Sequence, residues 1–137
     1  MSWDRETWRL NVADMLFEMS NVNFQEAIWT GKIPGLTHSF SELICNLEDY
    51  AIPDGLNWFV NQKICTRDEA ECLNLISKRI DELIKKYPRI TDWDVNKIIA
   101  NEEWLAIVST SKTLFDDDFK SDFVSNNKNK NLVEEWC

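Results

Sequence analysis

Few side chains in this sequence could do covalent or metal chemistry. There is one histidine, His38, and there are four cysteines, Cys45, Cys65, Cys72 and Cys137. A nucleophile needs a base beside it and a third group to orient that base. His38 with Cys45 or Cys65 could form such a pair, but no nucleophile elbow or cysteine-enzyme signature accompanies them. In Thr37-His38-Ser39 the histidine stands at a helix start, where a solvated surface residue is expected, and no catalytic residue is assigned. No CxxC spacing occurs, so no zinc site is expected. Cys45 and Cys72 fall among apolar helix positions and read as small core residues. Asp116-Asp117-Asp118 could supply carboxylates to a divalent cation, yet consecutive helical residues face different directions and no EF-hand loop is present. The run reads as a solvated acidic end, or as a charge that meets a basic protein surface in place of phosphate. Glycines at 31, 35 and 55 make no phosphate-cradling loop, so no metal, nucleotide or other cofactor is expected.

The charge narrows the choice of partner. The chain has 137 residues with 24 acidic and 15 basic, a formal charge of −9. Such a field repels phosphate backbones, so direct nucleic-acid binding is not expected, whereas a basic protein would be attracted. Residues 1–60 hold three basic and nine acidic residues, 61–100 eight and seven, and 101–137 four and eight. The negative charge therefore comes from the two ends of the chain. Glu48, Asp49 and Asp54 are the candidates in the first region, and Asp116, Asp117 and Asp118 in the last. They form one acidic surface if the ends meet, or two solvated patches if they do not. Seven tryptophans is a high number. Trp8 and Trp104 lie on apolar stripes, and Trp29 and Trp58 are kept as candidate interface anchors.

The elements that must position these groups are helical. Three glycines and three prolines suit helices better than sheets, and no strictly alternating run occurs. The pattern predicts an all-α single-domain bundle of about five to six helices over residues 1–118, with a polar, flexible tail over 119–137. A first helix over about 3–19 carries Trp8, Val12, Met15, Leu16 and Met19 on one stripe, capped by Ser2 or Asp4. Asn23 is expected to cap a short second helix ending before Gly31. Ser39 and Glu42 make a capping box, and so do Thr66 and Glu69, the latter opening a long helix that stops before Pro88. Leu56 to Val60 fits a short helix or an extended piece. Asp92 is expected to cap a segment through Ile99, with a fresh start at Asn101. No basic leader precedes an apolar run and no stretch is long enough to span a bilayer, so a cytoplasmic protein without membrane contact is expected.

Three segments carry a family resemblance: Phe40-Ser41-Glu42-Leu43-Ile44-Cys45-Asn46-Leu47-Glu48-Asp49-Tyr50, Ile64-Cys65-Thr66-Arg67-Asp68-Glu69-Ala70, and Trp104-Leu105-Ala106-Ile107-Val108. Over about residues 8–115 the chain resembles small helical immunity proteins of bacterial contact-dependent growth inhibition and related polymorphic toxin systems. The resemblance implies a non-enzymatic role. The protein would bind the C-terminal toxin domain of a cognate partner, one to one, and block its active site or its access to substrate. A nuclease toxin would be basic and would suit an acidic inhibitor. No interface residue is carried over from the family, and the six acidic candidates rest on charge placement alone. Two other readings stand beside it. One is a helical adaptor or regulatory protein for a different basic partner. The other is a small enzyme using His38, a cysteine or the aspartate run.

Overall fold

The computed structural model describes residues 3–137, and among them every regular element is helical. The helices are α1 (Arg5–Met19), α2 (Val22–Trp29), α3 (Phe40–Asp49), α4 (Leu56–Asn61), α5 (Arg67–Lys86), α6 (Val95–Ile99), α7 (Glu102–Leu114), α8 (Lys120–Val124) and α9 (Asn127–Trp136). A 3₁₀ turn covers Ile90–Asp92, and a π turn, Phe115–Phe119, joins α7 to α8. The chain is all-α, with more helical segments than the five to six expected, because Leu56–Asn61 and the stretch after residue 119 also coil into helices.

α1 lies at the centre. It packs on α2, α3, α7, the π turn and α8. Its expected stripe is buried, and so are Arg9, Ala13, Phe17 and Glu18 on its other sides. A helix enclosed on most sides cannot be amphipathic in the ordinary sense. Asp4 caps it by accepting from the N–H of Thr7 at 2.8 Å, while Ser2 lies outside the described residues. Its last carbonyls, which have no partner within the helix, are met by a side chain instead. Gln25, fully buried, donates its Nε2 to the carbonyls of Glu18 and Met19 at 2.9 and 3.1 Å. Its Oε1 accepts from Trp104 Nε1 at 3.0 Å. One amide thereby ties α1, α2 and α7 together.

The caps follow the sequence in part. Ser39 and Thr66 cap α3 and α5 as expected, and Thr66 with Glu69 forms a complete capping box. Asn101 caps α7 through the N–H of Trp104. Two caps move. Asn21, not Asn23, caps α2, and Asp94, not Asp92, caps α6, because Asp92 is taken up in the 3₁₀ turn. Gly31 closes α2 in left-handed backbone at φ 76°. Leu56 to Val60 is helical, with Leu56 and Phe59 buried.

The boundary expected at residue 118 is not one. Phe119 and Phe123 lie in the same core as Phe17 and Phe115, and Phe17 stacks on Phe123 at 4.6 Å between ring centroids. The stretch expected as a polar tail forms α8 and α9. Asn129 is buried and donates to the carbonyl of Phe123 at 3.0 Å, and Trp136 packs edge-on against Phe24. The asparagine-rich composition hid a helix whose apolar residues Leu132, Val133 and Trp136 fall on one side.

Candidate functional site

The acidic run at the end of α7 is held in a specific way. Phe115 and Phe119, at either end of the π turn, are fully buried, and the three aspartates between them are exposed. Irregular helical turns of this kind arise where a side chain enters the backbone ladder. Here Arg9 enters it, donating from Nη2 to the carbonyl of Asp118 at 3.0 Å. Its guanidinium lies 4.4 Å from the centre of the Phe119 ring.

Arg9 is 5% exposed and uses every donor it has. Nη1 and Nη2 each donate to Glu69 at 3.0 Å, a two-pronged pair. Nε donates to Asp122 at 3.1 Å and Nη1 to the carbonyl of Ile64 at 3.1 Å. Burial works against the charge of Arg9, but hydrogen bonds and charge from Glu69 and then Asp122 outweigh it and strengthen its hold on the proton. Burial likewise opposes the charge of Glu69, and Arg9 with the Thr66 N–H holds its carboxyl below the ordinary value. This node fastens the π turn and α8 to the start of α5. Sequence reasoning missed it. The only sign was a charged residue directly after Trp8, beside the apolar stripe of α1.

The node also decides what surrounds the aspartates. The charges acting on Asp118 are Glu69, Asp117 and Asp68, opposed by Arg9. Partial burial first, and then those carboxylates, hold the Asp118 carboxyl above its ordinary value. Asp116 pairs with Lys112 at 3.1 Å, whereas Asp117 and Asp118 have no ion pair among the described residues. The acidic surface is thus built from the π turn and the first turn of α5. Glu48 and Asp49 are exposed at the end of α3, and Asp54 is exposed in the turn before α4. Asp49 acts on Tyr50, together with Asp14 and Glu18. Asp116, Asp117 and Asp118 thus sit together on the π turn, while Glu48 and Asp49 close α3 and Asp54 precedes α4.

Neither tryptophan candidate projects freely. Trp29 is half-buried, donates Nε1 to Glu18 at 3.0 Å and packs edge-on against Phe40. Trp58 is half-buried against Phe59. Both help to close the ends of the core.

The groups first considered for chemistry are spread apart. His38 Nδ1 lies 2.7 Å from Glu18 Oε1, so the histidine is exposed but tethered. All four cysteines are free. Cys45 is exposed and Cys72 is half-buried, so Cys45 is not the core residue expected, and Cys65 takes that place. Burial, with a contribution from Glu69, pushes the Cys65 thiol up to about 11, which makes it a poor nucleophile at neutral pH. Among the described residues, no three His, Cys, Asp or Glu side chains gather closely enough to hold a metal ion. None of the described helices is long and apolar enough to cross a membrane. No protein-family model, curated protein or solved structure matches this chain.

Proposed function

We propose that this chain is an immunity protein: it binds a basic toxin domain one to one and blocks its active site or its access to substrate. The observation that carries the reading is the acidic turn Asp116–Asp118. Its carboxylates are exposed while its backbone is clamped by Phe115, Phe119 and Arg9. A charged segment already held in one shape loses little conformational freedom on binding. The charge of −9 draws a basic partner in and speeds the encounter. The resemblance of residues 8–115 to small helical immunity proteins supplies the class of partner. Asp68 joins the binding surface through its proximity to Asp118.

The test is co-expression with the toxin domain encoded directly upstream, followed by measurement of growth and of one-to-one binding. Rescue of growth and a stable complex are expected. The reading fails if the toxin is neither bound nor neutralised. Capture of an unrelated basic protein through the same aspartates would instead identify an adaptor.

A further inference from the structure

α9 is seated more lightly than the helices before it. Of its ten residues only Asn129 is buried. Leu132, Val133 and Trp136 follow at helical spacing and are each half-buried against the core. Its most extensive packing is on α8, its neighbour in the chain. Toward α2 it covers Phe24, which is 5% exposed and meets the Trp136 ring edge-on at 5.5 Å between centroids. Two asparagines pin the helix at its two ends. Asn129 Nδ2 donates to the carbonyl of Phe123 at 3.0 Å and to Asp14 at 3.3 Å. Asn21 Nδ2 donates to the carbonyl of Trp136. That carbonyl stands in the last turn of α9, where the helix itself supplies no partner. The same Asn21 side chain accepts from the N–H of Phe24 at 2.9 Å through Oδ1. One amide therefore caps the start of α2 and the end of α9.

We propose that α9 is a lid that swings off α1 and α2 about Asn126 while the rest of the fold stays closed, with Asn21 as its latch. An element is costly to lift when a buried polar group is left without a partner. Here the groups that stay behind keep one. Asn21 Oδ1 retains the Phe24 N–H, and the Phe123 carbonyl retains the Asn126 N–H at 3.4 Å. Asp14 is exposed and exchanges its long bond for water. What the lid gives up is the contact of three half-buried side chains, and segments with so little buried apolar surface open below the global unfolding free energy. The Arg9 node does not restrain it, because Arg9 reaches Asp122 in α8 and no residue of α9. The acidic turn thus keeps its clamp when the lid opens. The surface uncovered is the side of Phe24 that Trp136 now shields.

The experiment is amide hydrogen exchange on the full chain at urea concentrations below the unfolding transition. The amides of Asn131 to Cys137 should exchange with a shallow dependence on urea, and those of α1 and α5 with a steep one, because only global opening exposes the latter. Asn21→Asp keeps an acceptor for the α2 cap and removes the donor to Trp136. It should speed exchange in α9 about fivefold, the equivalent of one hydrogen bond, and leave α2 as it is. Asn129→Ala releases the other end and should speed the same amides. Asn21→Ala removes both functions and should speed α2 as well as α9. Any of three results overturns the lid: a urea dependence in α9 as steep as that of α1, no change in α9 with either N21D or N129A, or acceleration of α2 by N21D equal to that of α9. None of these measurements involves a toxin, so their failure would leave the neutralisation reading standing.

Discussion

Replacing Arg9 with methionine tests how the acidic turn is held. Methionine fills much of the arginine stem and supplies no donor. Glu69, 5% exposed, would keep only its bond from the Thr66 N–H, and the carbonyls of Ile64 and Asp118 would lose a partner each. Breaking a buried ion pair from one side costs about 3–5 kcal/mol, because the other charge stays buried. At roughly 4 °C per kcal/mol for a chain of this size, the thermal midpoint should fall by about 12–20 °C. Circular dichroism melts and urea titrations both measure this. Adding Glu69→Gln removes the stranded charge and keeps the capping pattern, so the double variant should regain part of the loss. The pH dependence has a fixed sign. The Glu69 carboxyl is held below its ordinary value of 4.5 in the fold, so its contribution is full above that value. It is lost as pH falls through the lower folded value. The parent should therefore lose stability in acid more steeply than R9M. A loss below about 1 kcal/mol, or no regain in the double variant, would refute the reasoning.

Three further outcomes follow from the contacts. D117N/D118N should slow association with a toxin partner about three- to tenfold at low salt, with little change in dissociation and less than about 0.5 kcal/mol in stability; stopped-flow kinetics at two ionic strengths measure it. Gln25→Leu should cost about 2–3 kcal/mol in a urea titration, since Trp104 Nε1 and the carbonyls of Glu18 and Met19 lose their partner inside the core. Burial raises the Asp14 carboxyl from 3.8 to about 6, so the folded state binds the proton more tightly than the unfolded one and stability falls as pH rises between those values. D14N should therefore stabilise the protein above pH 6 and not near pH 4. Two units correspond to ~3 kcal/mol, but Asp14 is exposed and solvent screening reduces the expected gain to about 1 kcal/mol or less.

Local signals were legible where chemistry acts over a few residues. Thr66 with Glu69, Ser39 and Asn101 announced their helices because capping is set by spacing alone. The stripe that carries Trp104 was legible because α7 has one buried and one wet face. α1 was only half legible. Its second buried side includes Arg9 and Glu18, and charged residues signal exposure unless their partners are known. Those partners stand 60 and 113 residues away for Arg9, beyond any local pattern. The segment after residue 118 was misjudged because asparagine and lysine dominate its composition. Phe119, Phe123 and Trp136 carry its packing. For the candidate surface, the aspartate run was visible by residue type. Its neighbour Asp68 was not, since the packing of α5 on α7 and the bonds of Arg9 that bring α5 to the π turn are long-range contacts.

The central place of α1 sets an order of events during synthesis. It leaves the ribosome well before α8, and Arg9 closes on Asp122, 113 residues later. At about 5–20 residues per second the wait is roughly 6–23 s. Throughout it the guanidinium has no α8 to grip, and the apolar sides of α1 lack their final cover. The clamp on the acidic turn is completed only by α8, so a nascent molecule cannot hold that turn in its finished shape before Asp122 has been made.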